Sequence, residues 1–297
     1  MIEQKAPVIS DGLRLDGAFF TDENVNNPDL PIVIVCSGFT GQKNIHPERY
    51  ARALTAKGFT VFGFDYRGFG ESEGIRERVI LDEQVRDIAN AVAVVKKRAD
   101  EEGRKVVLAG WGMAGGLILD AYRVCQDAID GLISMNGFYD AVRVQVAQRG
   151  EHGWKAFRQF MLEERTRLAL GGEKQGIDPF EIYPLDPVSR EYVFTELVKA
   201  PGYGVTSDLD FADSLINFKP EALLDERFAD APILIAHGAE NDLHPVTEAK
   251  SLYAKYPGPK SLFLLPEGGH TEWMLDDDPK FIQFSGVIAN WLSENFS

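Results

Sequence analysis

What this sequence has little of narrows it first. Two cysteines, Cys36 and Cys125, are too few in 297 residues for a disulfide framework, and they read as buried, reduced thiols. Positive charge is in deficit: 31 Lys and Arg against 46 Asp and Glu leave a formal charge of −15. With no basic cluster, neither nucleic acid nor an anionic membrane surface is expected as a partner, since both need a positive footprint. No apolar run approaches the roughly 20 residues that cross a bilayer. The stretch Met1-Ile2-Glu3-Gln4-Lys5 has no apolar core of signal-peptide length, so the expected location is cytoplasmic. Histidine is scarce too, at five residues. One local absence matters more than all of these: between Val106 and Leu119 there is no serine, cysteine or aspartate.

What is present is ordinary for a globular chain, with 44% apolar and 11% aromatic residues, enough for a sizeable core. Val8 to Phe20 alternates and carries Asp11-Gly12 and Asp16-Gly17, which predicts an antiparallel hairpin. Ile32–Cys36, Thr60–Phe64, Val106–Ala109, Leu132–Met135, Ile233–Ala236 and Ser261–Leu265 are short apolar runs that predict buried strands. Between them lie helical patterns at 47–57, from Leu81 onward (Val85, Ile88, Val92, Val95), from Leu117, at 247–256 and at 279–295. Strands alternating with helices predict a mostly parallel, doubly wound α/β sheet. From 141 to 227 the alternation stops and Pro and Gly punctuate short helical stretches. That segment predicts a mainly helical cap inserted into a core made of 1–140 and 228–297.

Open α/β sheets bind ligands beyond the carboxyl ends of their strands, so the loops there carry the chemistry. The first loop is Ser37-Gly38-Phe39-Thr40-Gly41. The second, Gly110-Trp111-Gly112-Met113-Ala114, has small residues on either side of a sharp strand-to-helix turn, the pattern of a nucleophile elbow. Its centre is Gly112, so the elbow is intact and its nucleophile is missing. The third runs from His237 to Pro245, and the fourth is Pro266-Glu267-Gly268-Gly269-His270-Thr271-Glu272-Trp273. Gly110-x-Gly112-x-x-Gly115 also matches a dinucleotide fingerprint, but the elbow explains it better, and no cofactor is expected.

With Asp65-x-Arg67-Gly68-x-Gly70-x-Ser72, the elbow and Gly269-His270 in this order, the chain resembles the α/β-hydrolases over roughly 8–140 and 228–297. The loop Gly38-Phe39-Thr40-Gly41 is similar to that of the feruloyl-esterase and prolyl-oligopeptidase-like branches. The resemblance implies His270 as the base and the Phe39 and Met113 N–H groups as an oxyanion hole. It also implies an acid in the third loop. Ungapped family spacing puts Asn241 at the acid position, with Asp242 one residue later. Asp242 is preferred because an ionised partner orients the imidazole and stabilises its cation. Asp140 is a second substitute. Ser37 stands where such loops usually carry histidine, and Trp111, Phe138 and Trp273 are placed to line the pocket, with Ser37 at its floor. His46, His152 and His244 read as loop or surface residues, and His237 as packing at its strand end.

The expected ligand is a small apolar or aromatic acyl compound attacked at its carbonyl; a homodimer stays open. Three readings follow from Gly112. In one, His270 acts on a water or directly on the substrate, giving hydrolysis, C–C cleavage or isomerisation. In another, the protein is a serine ester or thioester hydrolase whose serine has been replaced. In the third, it is a non-catalytic binding module on the same fold.

Overall fold

The computed structural model describes residues 1–201, 203–204 and 207–297. The chain begins with four short strands, β1 (Ile2–Lys5), β2 (Val8–Ser10), β3 (Leu13–Leu15) and β4 (Gly17–Thr21). Then β5 (Ile32–Cys36), α1 (His46–Thr55), β6 (Thr60–Phe64), α2 (Leu81–Glu102), β7 (Val106–Trp111), α3 (Met113–Cys125) and β8 (Gly131–Met135) alternate. A helical stretch follows: α4 (Ala141–Ala169), α5 (Pro179–Ile182), α6 (Pro187–Thr195) and α7 (Leu209–Asn217). The chain closes with β9 (Ile233–Gly238), α8 (Val246–Lys255), β10 (Lys260–Leu265) and α9 (Pro279–Phe296).

Eight strands form one sheet in the order β1-β4-β6-β5-β7-β8-β9-β10. The six from β6 to β10 run parallel, while β1 and β4 are antiparallel at one edge. β5, β6, β7, β8 and β9 are buried along their whole length, as largely apolar runs covered on both faces should be. Among the described residues no helix is long and apolar enough to cross a membrane, and both cysteines are free.

The expected hairpin is real but shorter than the alternation suggests. β2 pairs with β3 across Asp11-Gly12, whose φ values of 50° and 82° are the positive pair a tight two-residue turn needs. Asp16-Gly17 is no turn. Gly17 starts β4, and a Cβ there would stand 2.6 Å from the Ala6 carbonyl oxygen, so this glycine serves a close approach of backbones.

The helical segment lies between β8 and β9, which are neighbours in the sheet. It is therefore an excursion that leaves the sheet and returns to the adjacent position. α4 is broken at Gly150, where φ 67° and ψ 166° leave the helical region. Arg143, in the first turn of α4, ties the excursion to the core through Glu248 of α8 (2.7 Å) and to the excursion's own far end through Glu221 (2.6 Å).

Candidate active site

The elbow is built by crowding. β7 runs into α3 through one residue, Gly112, and the flanking glycines leave room for the turn. A Cβ on Gly110 would stand 2.2 Å from the Ala114 carbonyl oxygen, and one on Gly115 would stand 2.8 Å from Gly137 Cα. Gly112 itself has φ 59° and ψ −123°, a conformation that strains any residue with a side chain. Space is not its constraint. A Cβ there would lie 3.7 Å from His270 Nε2 with nothing nearer, so a hydroxyl one bond further out would come within hydrogen-bond reach of the imidazole.

His270 is buried, and the residue behind it is Asn241, not Asp242. Asn241 Nδ2 is 3.1 Å from His270 Nδ1, and Asn241 is itself buried. The Asp242 side chain is exposed, which corrects its assignment as the acid. The physical reason is the loop's own capping: Asn241 Oδ1 accepts the backbone N–H of His244 (2.9 Å), which turns residue 241 inward and leaves residue 242 facing out. Asp140 is no substitute, because its carboxylate caps α4 by accepting the Arg143 N–H. No carboxylate hydrogen-bonds this imidazole among the described residues.

Four of the five histidines converge here. His244 packs 4.6 Å from His270 between ring centroids, and its ring bonds to the Asn136 carbonyl and to the Tyr183 hydroxyl. His237 and His46 are buried as well. Burial pushes His46 and His244 down to about 3 and His237 down to about 4. His270 is held well below the ordinary histidine range by burial first, then by the other three imidazoles. His46 and His244 are thus not the surface residues their loops suggest. Tyr183 of the helical segment covers His244 and the indole of Trp111 stacks on His46, contacts no local pattern encodes.

Phe39 and Met113 line the same cavity as His270, and neither backbone N–H donates to another described residue. Met113 opens α3, so its N–H also carries the positive end of that helix. Around them is a small cavity of about 50 Å³, enough for a few waters or the head of a small ligand. Phe39, Trp111, Tyr183, Leu185, Val193, Leu197 and Leu243 make it apolar. The larger surface depression of about 770 Å³ beside Arg78, Asp82 and Lys219 shares no residue with the strand-end loops.

Three expected lining residues sit elsewhere. Phe138 packs one layer behind, against His244 and Tyr183. Trp273 lies behind Trp111, with its indole N–H donating to the Gly269 carbonyl (3.1 Å). Ser37 is fully buried, its hydroxyl unpartnered, and it does not reach the cavity. Sequence reasoning missed the polar groups that do reach it: His46, Ser189 and Thr271, whose ring nitrogens and hydroxyls have no described partner. It also missed Asn136, at φ 48°, which holds the site's two loops together. Asn136 Oδ1 accepts the Gly238 N–H (2.7 Å) and its Nδ2 donates to the His270 carbonyl (2.7 Å).

An eight-stranded sheet of this order, an elbow after β7 and a histidine after β10 define an α/β-hydrolase. More particularly, the chain belongs to the family described as serine aminopeptidase S33, whose pattern matches residues 28–277. An Escherichia coli relative, the uncharacterized 31.7 kDa protein in the traX-finO intergenic region, is 24% identical over 266 residues, 89% of this chain and 91% of its own. The solved structure of DcsB in complex with its substrate analogue superposes with a TM-score of 0.77 at 18% identity, covering 99% of both chains. Est1E from Butyrivibrio proteoclasticus, solved with ferulic acid bound, gives 0.65 at 20% identity over 98% of each. At these identities the structural matches speak for the fold.

Proposed function

We propose that this protein is an enzyme acting at the carbonyl of a small apolar or aromatic acyl compound without forming an acyl-enzyme. The observation that carries the reading is an assembled but empty elbow: His270 Nε2 lies 3.7 Å from where a Gly112 side chain would begin, in a cavity also lined by Phe39 and Met113, whose backbone N–H groups have no described partner. Substrate or water entering that space meets the imidazole directly. Hydrolysis by water, C–C cleavage and isomerisation all fall within this reading. Serine hydrolases stripped of a triad member keep roughly 10³–10⁴-fold catalysis over water through the oxyanion hole and binding, so such a site has something to work with. The apolar walls favour an aromatic or aliphatic acyl group. The ferulic acid bound to Est1E supports the same class. The helical segment acts as a cap, contributing Tyr183, Leu185, Val193 and Leu197 to the roof.

Asn241 separates the alternatives. A serine hydrolase altered at one residue would keep its acid, and here the acid position is also neutral. The binding module is the stronger rival, because nucleophile and acid are absent together. The deciding experiment follows small aromatic esters, thioesters and β-diketones by NMR with wild type and His270→Ala. Turnover by wild type that falls at least about 10²-fold in the variant supports the enzyme. No turnover by either protein, with benzoate still bound by wild type, would establish the binding module.

A further inference from the structure

The hydrogen bonds around His270 leave one place for its proton. The His244 backbone N–H can only donate, so the edge of Asn241 that it meets is the amide oxygen, at 2.9 Å. The other edge is then the NH₂, which also can only donate, and it lies 3.1 Å from His270 Nδ1. Nδ1 is therefore the bare, accepting nitrogen, and the proton of the neutral ring sits on Nε2. The neighbours are anchored to backbone groups in the same way. His237 Nε2 donates to the His244 carbonyl at 2.8 Å, so at 3.4 Å it presents a donor to the Asn241 NH₂ and does not compete for it. Asn136, fixed by the Gly238 N–H, holds the His270 carbonyl and with it the backbone that carries the ring. A Ser-His-Asp site is the reverse: Nδ1–H donates to the carboxylate and Nε2 offers its lone pair to the serine.

We propose that Asn241 is a positioning residue that holds His270 in the Nε2–H tautomer. His270 Nε2–H, Phe39 N–H and Met113 N–H then form a three-donor socket for one oxygen on a trigonal carbon. The ligand chemistry is that of a carboxylate, or of a carbonyl whose oxygen gains negative charge as it reacts. This rests on the acyl-compound reading above and narrows it: His270 meets the ligand as an electrophile, polarising its oxygen, rather than as a base. A neutral imidazole is suited to that role.

The first test is two-bond ¹H–¹⁵N correlation on the full chain labelled at histidine, at pH 8, with His270→Gln to assign the signal. The expected spectrum has an unprotonated Nδ1 and a protonated Nε2 at His270; a proton on Nδ1 overturns the proposal. Benzoate and acetophenone are the probes. A shift of the Nε2–H signal with benzoate alone assigns the socket to carboxylates, and a shift with both extends it to neutral carbonyls. No shift with either removes the socket. The second test rebuilds the missing triad on an activated ester. Gly112→Ser alone should turn over slowly, because its hydroxyl faces an N–H. Gly112→Ser with Asn241→Asp should be faster by up to about 10⁴-fold, the loss seen when a triad acid becomes an amide and the tautomer is wrong. Equal rates for single and double variants would show that Asn241 does not set the proton. Neither test needs natural turnover, so the tautomer can hold even if wild type proves to be a binding module.

Discussion

Gly112 is the residue at which fold and chemistry meet. Its φ of 59° is the conformation an elbow demands, and in a glycine it costs no steric strain. Gly112→Ala should therefore lower stability by about 1–3 kcal/mol through backbone strain alone, since the added methyl meets nothing closer than His270 at 3.7 Å. Denaturant unfolding of the two proteins measures it, and an unchanged or higher midpoint would mean that the turn is not strained. The elbow was legible because steric crowding writes itself into small residues at fixed spacing. The acid position was not. Chemistry argued for Asp242, but which of two adjacent side chains turns inward is decided by one cap, Asn241 Oδ1 on the His244 N–H. That choice belongs to the loop's conformation rather than to either residue's charge.

At the scale of elements, strands and helices of the core fell close to their expected bounds because apolar runs and helical periodicity persist over many residues. β1 escaped notice because all four of its residues are exposed, so it carries no apolar pattern. The helical segment was legible as a break in alternation, yet its role in the site was not. Tyr183, Leu185 and Ser189 follow the one-turn helix α5 or open α6, and only the fold brings them over Gly112. The anchor of this segment is a sharper object for experiment. Glu248 is buried, pairs with Arg143, and accepts the N–H groups of Tyr139 and Asp140 at the root of α4. Glu248→Ala orphans both backbone donors and leaves Arg143 with Glu221 alone. Because Arg143 is about a third exposed, at 36%, part of its loss is recovered by water. The expected cost is about 2–3 kcal/mol, below the usual range for breaking a fully buried pair. Thermal unfolding and limited proteolysis within 141–227 should both report it. Loss of stability without new cleavage in that segment would separate Glu248 from the docking of the helices.

For the whole molecule, the cluster of buried imidazoles makes stability depend on pH in a direction opposite to what the net charge suggests. His46 and His244 are lowered to about 3, His237 to about 4, and His270 well below its ordinary value, each chiefly by burial. Below about pH 6.5 the unfolded chain protonates these rings while the folded chain does not. Stability is therefore full above pH 6.5 and is lost as pH falls toward 4. Asp120, raised to about 6 by burial, and Asp65, also raised, act the other way, since the folded state holds their protons more tightly. Four imidazoles against two carboxyls leave the rings dominant. Near pH 5 unfolding should therefore take up protons net, so that stability falls as the pH is lowered. The charge of −15 predicts relief of self-repulsion on acidification, but exposed charges more than about 8 Å apart are largely screened at physiological salt. Chemical denaturation at pH 8, 7, 6 and 5 in 0.15 M salt distinguishes the two. His46→Leu supplies the control: its ring nitrogens have no described partner, so the variant should unfold no earlier at pH 8 and should lose about one proton from the slope at pH 5. A profile flat from pH 7 to 5 would mean that the rings titrate inside the fold, and with them the neutral His270 on which the three-donor socket depends.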